Sequence, residues 1–168
     1  EIADDCPLGE HAFQIRNDAL LTRLSTFNVT RFPCVDEAEV RLHSNDTLIH
    51  AVELPRNANV TVRGSIRQLT VQDVDLYKVA VRSGIRLSIE ADMAQIAEAH
   101  IGASEIDAAV RVLDESGREL AAADDSGLHL QDPILSVIPS YDGFAYIEVK
   151  QSTFTPISGA AYGLGGLP

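Results

Sequence analysis

Tryptophan is absent from this chain, and aromatic side chains make up only 5% of it, so any core must be assembled from Val, Ile, Leu and Ala. No run of about 18 apolar residues occurs, which excludes a membrane-spanning helix. Positive charge is scarce: 13 Lys and Arg stand against 25 Asp and Glu, a formal net charge of −12. Such a surface repels phosphate backbones and anionic lipid, so neither nucleic-acid binding nor membrane insertion is expected, and cations are the natural small partners. The bland reading of the acidity is solubility alone. His-Glu-x-x-His, Gly-x-Ser-x-Gly and Cys-x-x-Cys are all missing, and the five histidines (His11, His43, His50, His100 and His129) lack metal-ligand spacing. The chain therefore reads as a non-enzyme, with a hydrolase of unrecognised site as the weakest alternative.

Cysteine is nearly absent too. Cys6 and Cys34 flank a predicted hairpin, and they form a disulfide in an oxidising compartment or remain two thiols. Asn28, Asn45 and Asn59 each begin an Asn-x-Thr sequon, which is meaningful only in a secretory eukaryotic setting. Without an initiator methionine, the chain reads as a processed or excised piece.

What is present is β patterning. The 168 residues suffice for one domain, or one domain and part of a second. Residues 106–127 hold the most organised stretch: Ile106, Ala108, Val110 and Val112 alternate with Asp107, Ala109 and Arg111, then Asp114-Glu115-Ser116-Gly117 makes a turn and the chain runs back to Asp124-Asp125. The period of two predicts a hairpin with one buried face. A second hairpin is expected where Tyr77, Val79 and Val81 lead through Ser83-Gly84 into Ile85, Leu87 and Ile89. Further strands are predicted in residues 11–16 and 20–29 around Asn17-Asp18, and in 48–54, 60–66 and 134–138. Ala145, Ile147 and Val149 mark the inward face of another, and Tyr162 and Leu164 a last one. Residues 93–101 fit a short helix or an inserted loop. Many short strands between turn signals predict an antiparallel sandwich.

Three acidic groups invite a cation. Asp73 and Asp75 share a face of an extended segment, because positions i and i+2 point the same way. Glu37 and Glu39 repeat that geometry, and Asn45-Asp46 adds oxygen ligands. Calcium takes about six to eight oxygens, which these positions could supply, although each pair alone usually means a solvated edge. Asp124-Asp125 is better explained as turn chemistry.

From Val35 onward, the order of motifs resembles the bacterial pre-peptidase C-terminal domain family. The resemblance is carried by Gly64-Ser65-Ile66, Asp73-Val74-Asp75-Leu76-Tyr77, Gly84-Ile85-Arg86-Leu87, Ile106-Asp107-Ala108, Asp114-Glu115-Ser116-Gly117, Asp124-Asp125, the run from Asp142-Gly143 to Val149, and Tyr162-Gly163-Leu164. It is similar to copies in large exported planctomycete proteins, and more distantly to the collagen-binding modules of clostridial collagenases. The resemblance implies an all-β fold: an antiparallel, jelly-roll-like β-sandwich over 55–168, an acidic linker and first strand over 33–54, and, over 1–32, a C-terminal β-hairpin from a partial immunoglobulin-like domain or a packed extension. It implies a secreted, periplasmic or cell-surface accessory module without catalysis. Such a module binds or positions a partner, either parent polypeptide domains or extracellular matrix or polysaccharide. The alternative is a structural spacer of a larger exported protein. Carried over by position, the calcium ligands would be Glu37, Glu39, Asn45, Asp46, Asp73 and Asp75. In the family only Pro separates the glutamate from Asn-Asp; here residues 40–44 intervene.

Overall fold

A computed structural model of the chain describes residues 2–22, 24–37, 45–56, 58–66, 72–92, 107–125 and 132–152. Within them the fold is all-β. Its strands are β1 (Gly9–Phe13), β2 (Ser25–Val29), β3 (Cys34–Asp36), β4 (Val52–Glu53), β5 (Thr61–Arg63), β6 (Val74–Val81), β7 (Leu87–Glu90), β8 (Ala108–Leu113), β9 (Glu119–Ala123), β10 (Ile134–Val137) and β11 (Gly143–Gln151). Residues 93–101 and the predicted strand at Tyr162 and Leu164 lie outside the described residues.

The principal sheet has five strands in the order β4-β6-β11-β8-β9. β11 is central, antiparallel to both β6 (Ile147 opposite Tyr77) and β8 (Ile147 opposite Val112). The period-2 reading of the faces holds: Ala108, Val110, Val112 and Ala145 are each 0% exposed. β7 and β10 form a separate pair. Leu135 of β10, with Leu87, Ile89 and Val137, packs against Val110, Val112, Ala145 and Ile147 of the large sheet. Two layers thus close on one apolar core, a sandwich-like arrangement.

The hairpin expected over residues 106–127 forms between β8 and β9, as the outer pair of the large sheet rather than its centre. Asp114 shapes its turn. Its carboxylate accepts from the Ser116 amide at 2.9 Å, the Ser116 hydroxyl at 2.6 Å and the Arg118 amide at 3.0 Å. Gly117 sits there at φ +82°, a conformation costly for residues with a Cβ.

The expected hairpin across Ser83-Gly84 does not form. β6 pairs with β4 and β11, whereas β7 pairs with β10, so this turn carries the chain from one sheet to the other. The corner is fastened by bonds from the Ser83 amide to Asp142 Oδ1 (2.9 Å) and from the Gly84 amide to the Pro139 carbonyl (2.9 Å). Alternation tells which way a side chain points, not which strand lies beside it.

The predicted antiparallel rule has two exceptions. β3 runs parallel to β5, and β4 parallel to β6. Both pairings join residues 33–54 to the body, so the acidic linker contributes strands to the structure it precedes. β1 and β2 form their own antiparallel pair, with Asn17 Oδ1 accepting from the Ala19 and Leu20 amides in the turn between them. Asn28 Nδ2 of β2 donates to Asp92 Oδ2 at 3.2 Å, and the Thr30 and Thr61 hydroxyls meet at 2.9 Å. Cys6 and Cys34 are free thiols: Cys6 Sγ lies 3.7 Å from His11 Nε2, and Cys34 is exposed on β3, so no bridge joins them in this structure.

Candidate metal centre

At one end of the sandwich polar side chains replace apolar ones. On β6 the inward positions continue from Val81 and Tyr77 to Asp75, and Asp73 follows just before the strand. Asp75 is 2% exposed, Asp73 1% and Asn45 1%. Burying a carboxylate without counter-charge is expensive, so such a group is expected to be paired, protonated or bound to a cation.

The linker reaches this end through β3. The Glu37 amide bonds to the Arg63 carbonyl at 2.8 Å, which extends the β3–β5 pairing and directs the Glu37 side chain back toward β6. Glu37 Oε2 accepts from the Ser65 amide at 3.0 Å. Gly64 makes room for it: a Cβ there would lie 3.0 Å from both Glu37 Oε2 and the Tyr77 hydroxyl. The Tyr77 hydroxyl donates over a long 3.5 Å to Glu37 Oε1.

Asn45 joins the two sides. Its Nδ2 donates to Glu37 Oε1 and to Asp75 Oδ1, each at 3.0 Å, and its carbonyl accepts from the Leu76 amide at 3.2 Å. A half-positive NH2 group thus stands between two carboxylates, where positive charge is wanted. Asn45 Oδ1 is buried with no hydrogen-bond partner. The Asp75 carboxyl is pushed up to about 8, chiefly by burial, then by its hydrogen bond with Glu37 and the Glu37 charge; Asn45 opposes the shift and Asp73 adds to it. A group with that proton affinity holds a proton at neutral pH.

Of the positions predicted from sequence, Glu37, Asn45 and Asp75 are brought into direct contact. Asp73 is buried one inward step from Asp75. Asp46 is half-buried beside Asn45 in the chain, and Glu39 lies outside the described residues. Among the described residues, no three carboxylate, imidazole or thiolate groups converge as a ready-made metal cage. The donor chemistry nevertheless suits calcium: all are hard oxygens, two carboxylates meet, and one buried amide oxygen is orphaned. Glu37, Asn45, Asp73 and Asp75 would hold the ion. Sequence reasoning missed Gly64 and Tyr77 as parts of this site: Gly64 was read only as part of a strand, and of the motif Asp73–Tyr77 only the two aspartates were read as ligands.

Other acidic groups have local work. The Asp114 carboxyl is held down at about 2 by the Ser116 hydroxyl, with further help from the Arg118 and Ser116 amides. A shallow hollow of about 280 Å³ lies beside it, and its wall residues Asp114, Glu115 and Asp142 already accept backbone amides. Asp124 and Asp125 are exposed, and Asp107 near them is raised by burial and by their charges. Of the described histidines, His11 Nε2 meets the Pro7 carbonyl at 2.7 Å and His50 Nδ1 the Thr47 hydroxyl at 2.9 Å.

No family model matches this chain, and no curated protein matches it significantly.

Proposed function

We propose that this chain is a non-catalytic extracellular accessory module, stabilised by calcium, that binds or positions a partner: a neighbouring domain of its parent polypeptide, or matrix or polysaccharide outside the cell. The observation that carries the reading is the buried contact of Glu37, Asn45 and Asp75. It ties the linker to the sandwich through groups whose mutual repulsion a divalent cation would cancel. Calcium, when bound, would supply the counter-charge that a proton on Asp75 supplies without it. The residues themselves do the positioning: Ser65 and Gly64 set Glu37, and Asn45 spans to Asp75.

Thermal unfolding in excess calcium and in chelator tests the calcium part. A ligand bound only by the native state adds about 2.7 kcal/mol of stability at a concentration of 100 Kd. Superimposable curves would remove calcium from the reading. Pull-down on immobilised polysaccharide and matrix protein tests the partner.

A second reading, a structural spacer in a larger exported protein, is favoured by the β1–β2 hairpin. Its neighbourhood leaves Ile15 63%, Leu20 71% and Leu21 60% exposed, apolar surface suited to packing on an adjoining domain. Failure to retain any matrix or polysaccharide would favour that reading.

A further inference from the structure

β11 ends on an unexpected side chain. Its inward positions are Ala145, Ile147, Val149 and then Gln151, so an apolar series finishes in a carboxamide. Gln151 is 1% exposed, and neither its Oε1 nor its Nε2 has a hydrogen-bond partner. The backbone around it is well used. Its carbonyl accepts from Gln72 Nε2 at 2.9 Å, and it lies opposite Ala108 in the ladder with β8. Buried polar groups in native proteins are almost always paired, so an amide orphaned at both ends points to something that belongs beside it.

The register shows what it faces. β11 pairs with β6 so that Val149 lies opposite Asp75 and Lys150 opposite Val74. Carried one step past that ladder, the same register sets Gln151 level with Asp73, which shares the parity of Asp75. On its other side stands Ala108, itself 0% exposed, which offers only a methyl group and no polar partner. Side chains directly across a sheet stand about 5 Å apart and diagonal ones about 7–8 Å, within reach of a long side chain. Asp73 is thus the direct neighbour of Gln151 and Asp75 the diagonal one. Asn45, with its own orphaned Oδ1, touches Asp75 from the linker side.

We propose that Gln151 is a further ligand of the cation site, offering its carboxamide oxygen from the sheet side, opposite Glu37 and Asn45 of the linker. The inference rests on the calcium reading above. It makes the ion a clasp across three parts of the chain: the linker, β6 and the end of β11. Carboxamide oxygens are ordinary calcium ligands, and a neutral one adds coordination without adding to the repulsion among the carboxylates.

The test compares the full chain with Q151L and Q151E, using calorimetric titration with calcium chloride and thermal unfolding in calcium and in chelator. Q151L removes the orphaned amide, so in chelator it melts no lower than the parent. Its calcium affinity falls by at least about tenfold. Q151E adds a carboxylate to the cluster, so it melts lower in chelator and gains more from calcium than the parent does. If the parent binds calcium and Q151L binds it equally well, Gln151 is not a ligand and the calcium reading stands. If the parent shows no calcium response, both fall. Should Q151L not fold, Q151E decides: a calcium gain no larger than the parent's overturns the inference.

Discussion

Asn45 and Asp75 are 30 positions apart, yet Asn45 Nδ2 donates to Asp75 Oδ1 at 3.0 Å within the buried end of the sandwich. The same nitrogen also reaches Glu37, so one amide holds two carboxylates together. Replacing it tests how much of that end depends on a donor. N45D removes both donors and adds a further carboxyl to the cluster of Glu37, Asp73 and Asp75. In chelator it should cost about 2 kcal/mol, the scale of a lost bond to a charged group. Calcium should recover more stability in N45D than in the parent. Urea midpoints in the two buffers measure both effects.

Asp75 gives a pH signature of definite sign. Its folded value, about 8, lies above its ordinary 3.8. The folded state therefore holds a proton that the unfolded state has released. The stability this group contributes is full below about pH 3.8 and is lost progressively as pH rises toward 8. D75N cannot titrate. In chelator, the difference in stability between D75N and the parent should therefore widen in favour of D75N across that window. A constant difference from pH 4 to 8 would contradict the protonated Asp75.

Gly64 is required by proximity rather than by backbone angle. A Cβ placed there meets Glu37 Oε2 and the Tyr77 hydroxyl at 3.0 Å each. G64A should push the Glu37 carboxylate off the Ser65 amide, lowering stability by about 1 kcal/mol, the usual worth of such a bond. If calcium is held as proposed, G64A should also weaken its binding. Unchanged affinity and melting would show that Glu37 has freedom to move.

Arg111 and Glu148 make the opposite pH contribution. Arg111 Nε and Nη2 bond to the two Glu148 oxygens at 2.8 and 2.7 Å, and Lys150 Nζ adds a contact at 3.0 Å. Burial alone would raise the Glu148 carboxyl, but these cations outweigh it and the net shift is downward. That stability is present above the ordinary 4.5 and is lost as pH falls below it. R111A leaves a carboxylate only 6% exposed with Lys150 alone and should cost about 2 kcal/mol at pH 7, less at pH 3. Urea midpoints at the two pH values check the difference.

The direction of a strand side chain is legible in the sequence; its neighbour is not. Ala108, Val110, Val112, Ala145 and Ile147 all point inward as alternation predicts, because a pleated strand has only two faces. The Ser83-Gly84 turn looked like a hairpin because two alternating runs flank it. Whether those runs pair depends on distant β10 and β11, which no local pattern encodes. The same limit applies to the site. Asp73 and Asp75 share a face by spacing alone, but Gly64 matters only through the atoms that crowd it, and Gln151 looks like any polar residue at a strand end. What marks it is parity: it occupies the last inward position of a strand whose other inward residues are apolar.

β11 lies between β6 and β8, and it is the last of the described strands in chain order. Synthesis from the amino end therefore leaves β4–β6 and β8–β9 as two separate pairs, each with an open hydrogen-bonding edge, until residues 143–151 arrive. Marginal two-stranded pieces gain little from closing early, and pairing across such sequence distances is slow. The large sheet thus forms as a late, concerted event. These strands stay loosely paired in a nascent chain until β11 is available, and truncation before Gly143 should leave exposed edges prone to association rather than a smaller stable domain.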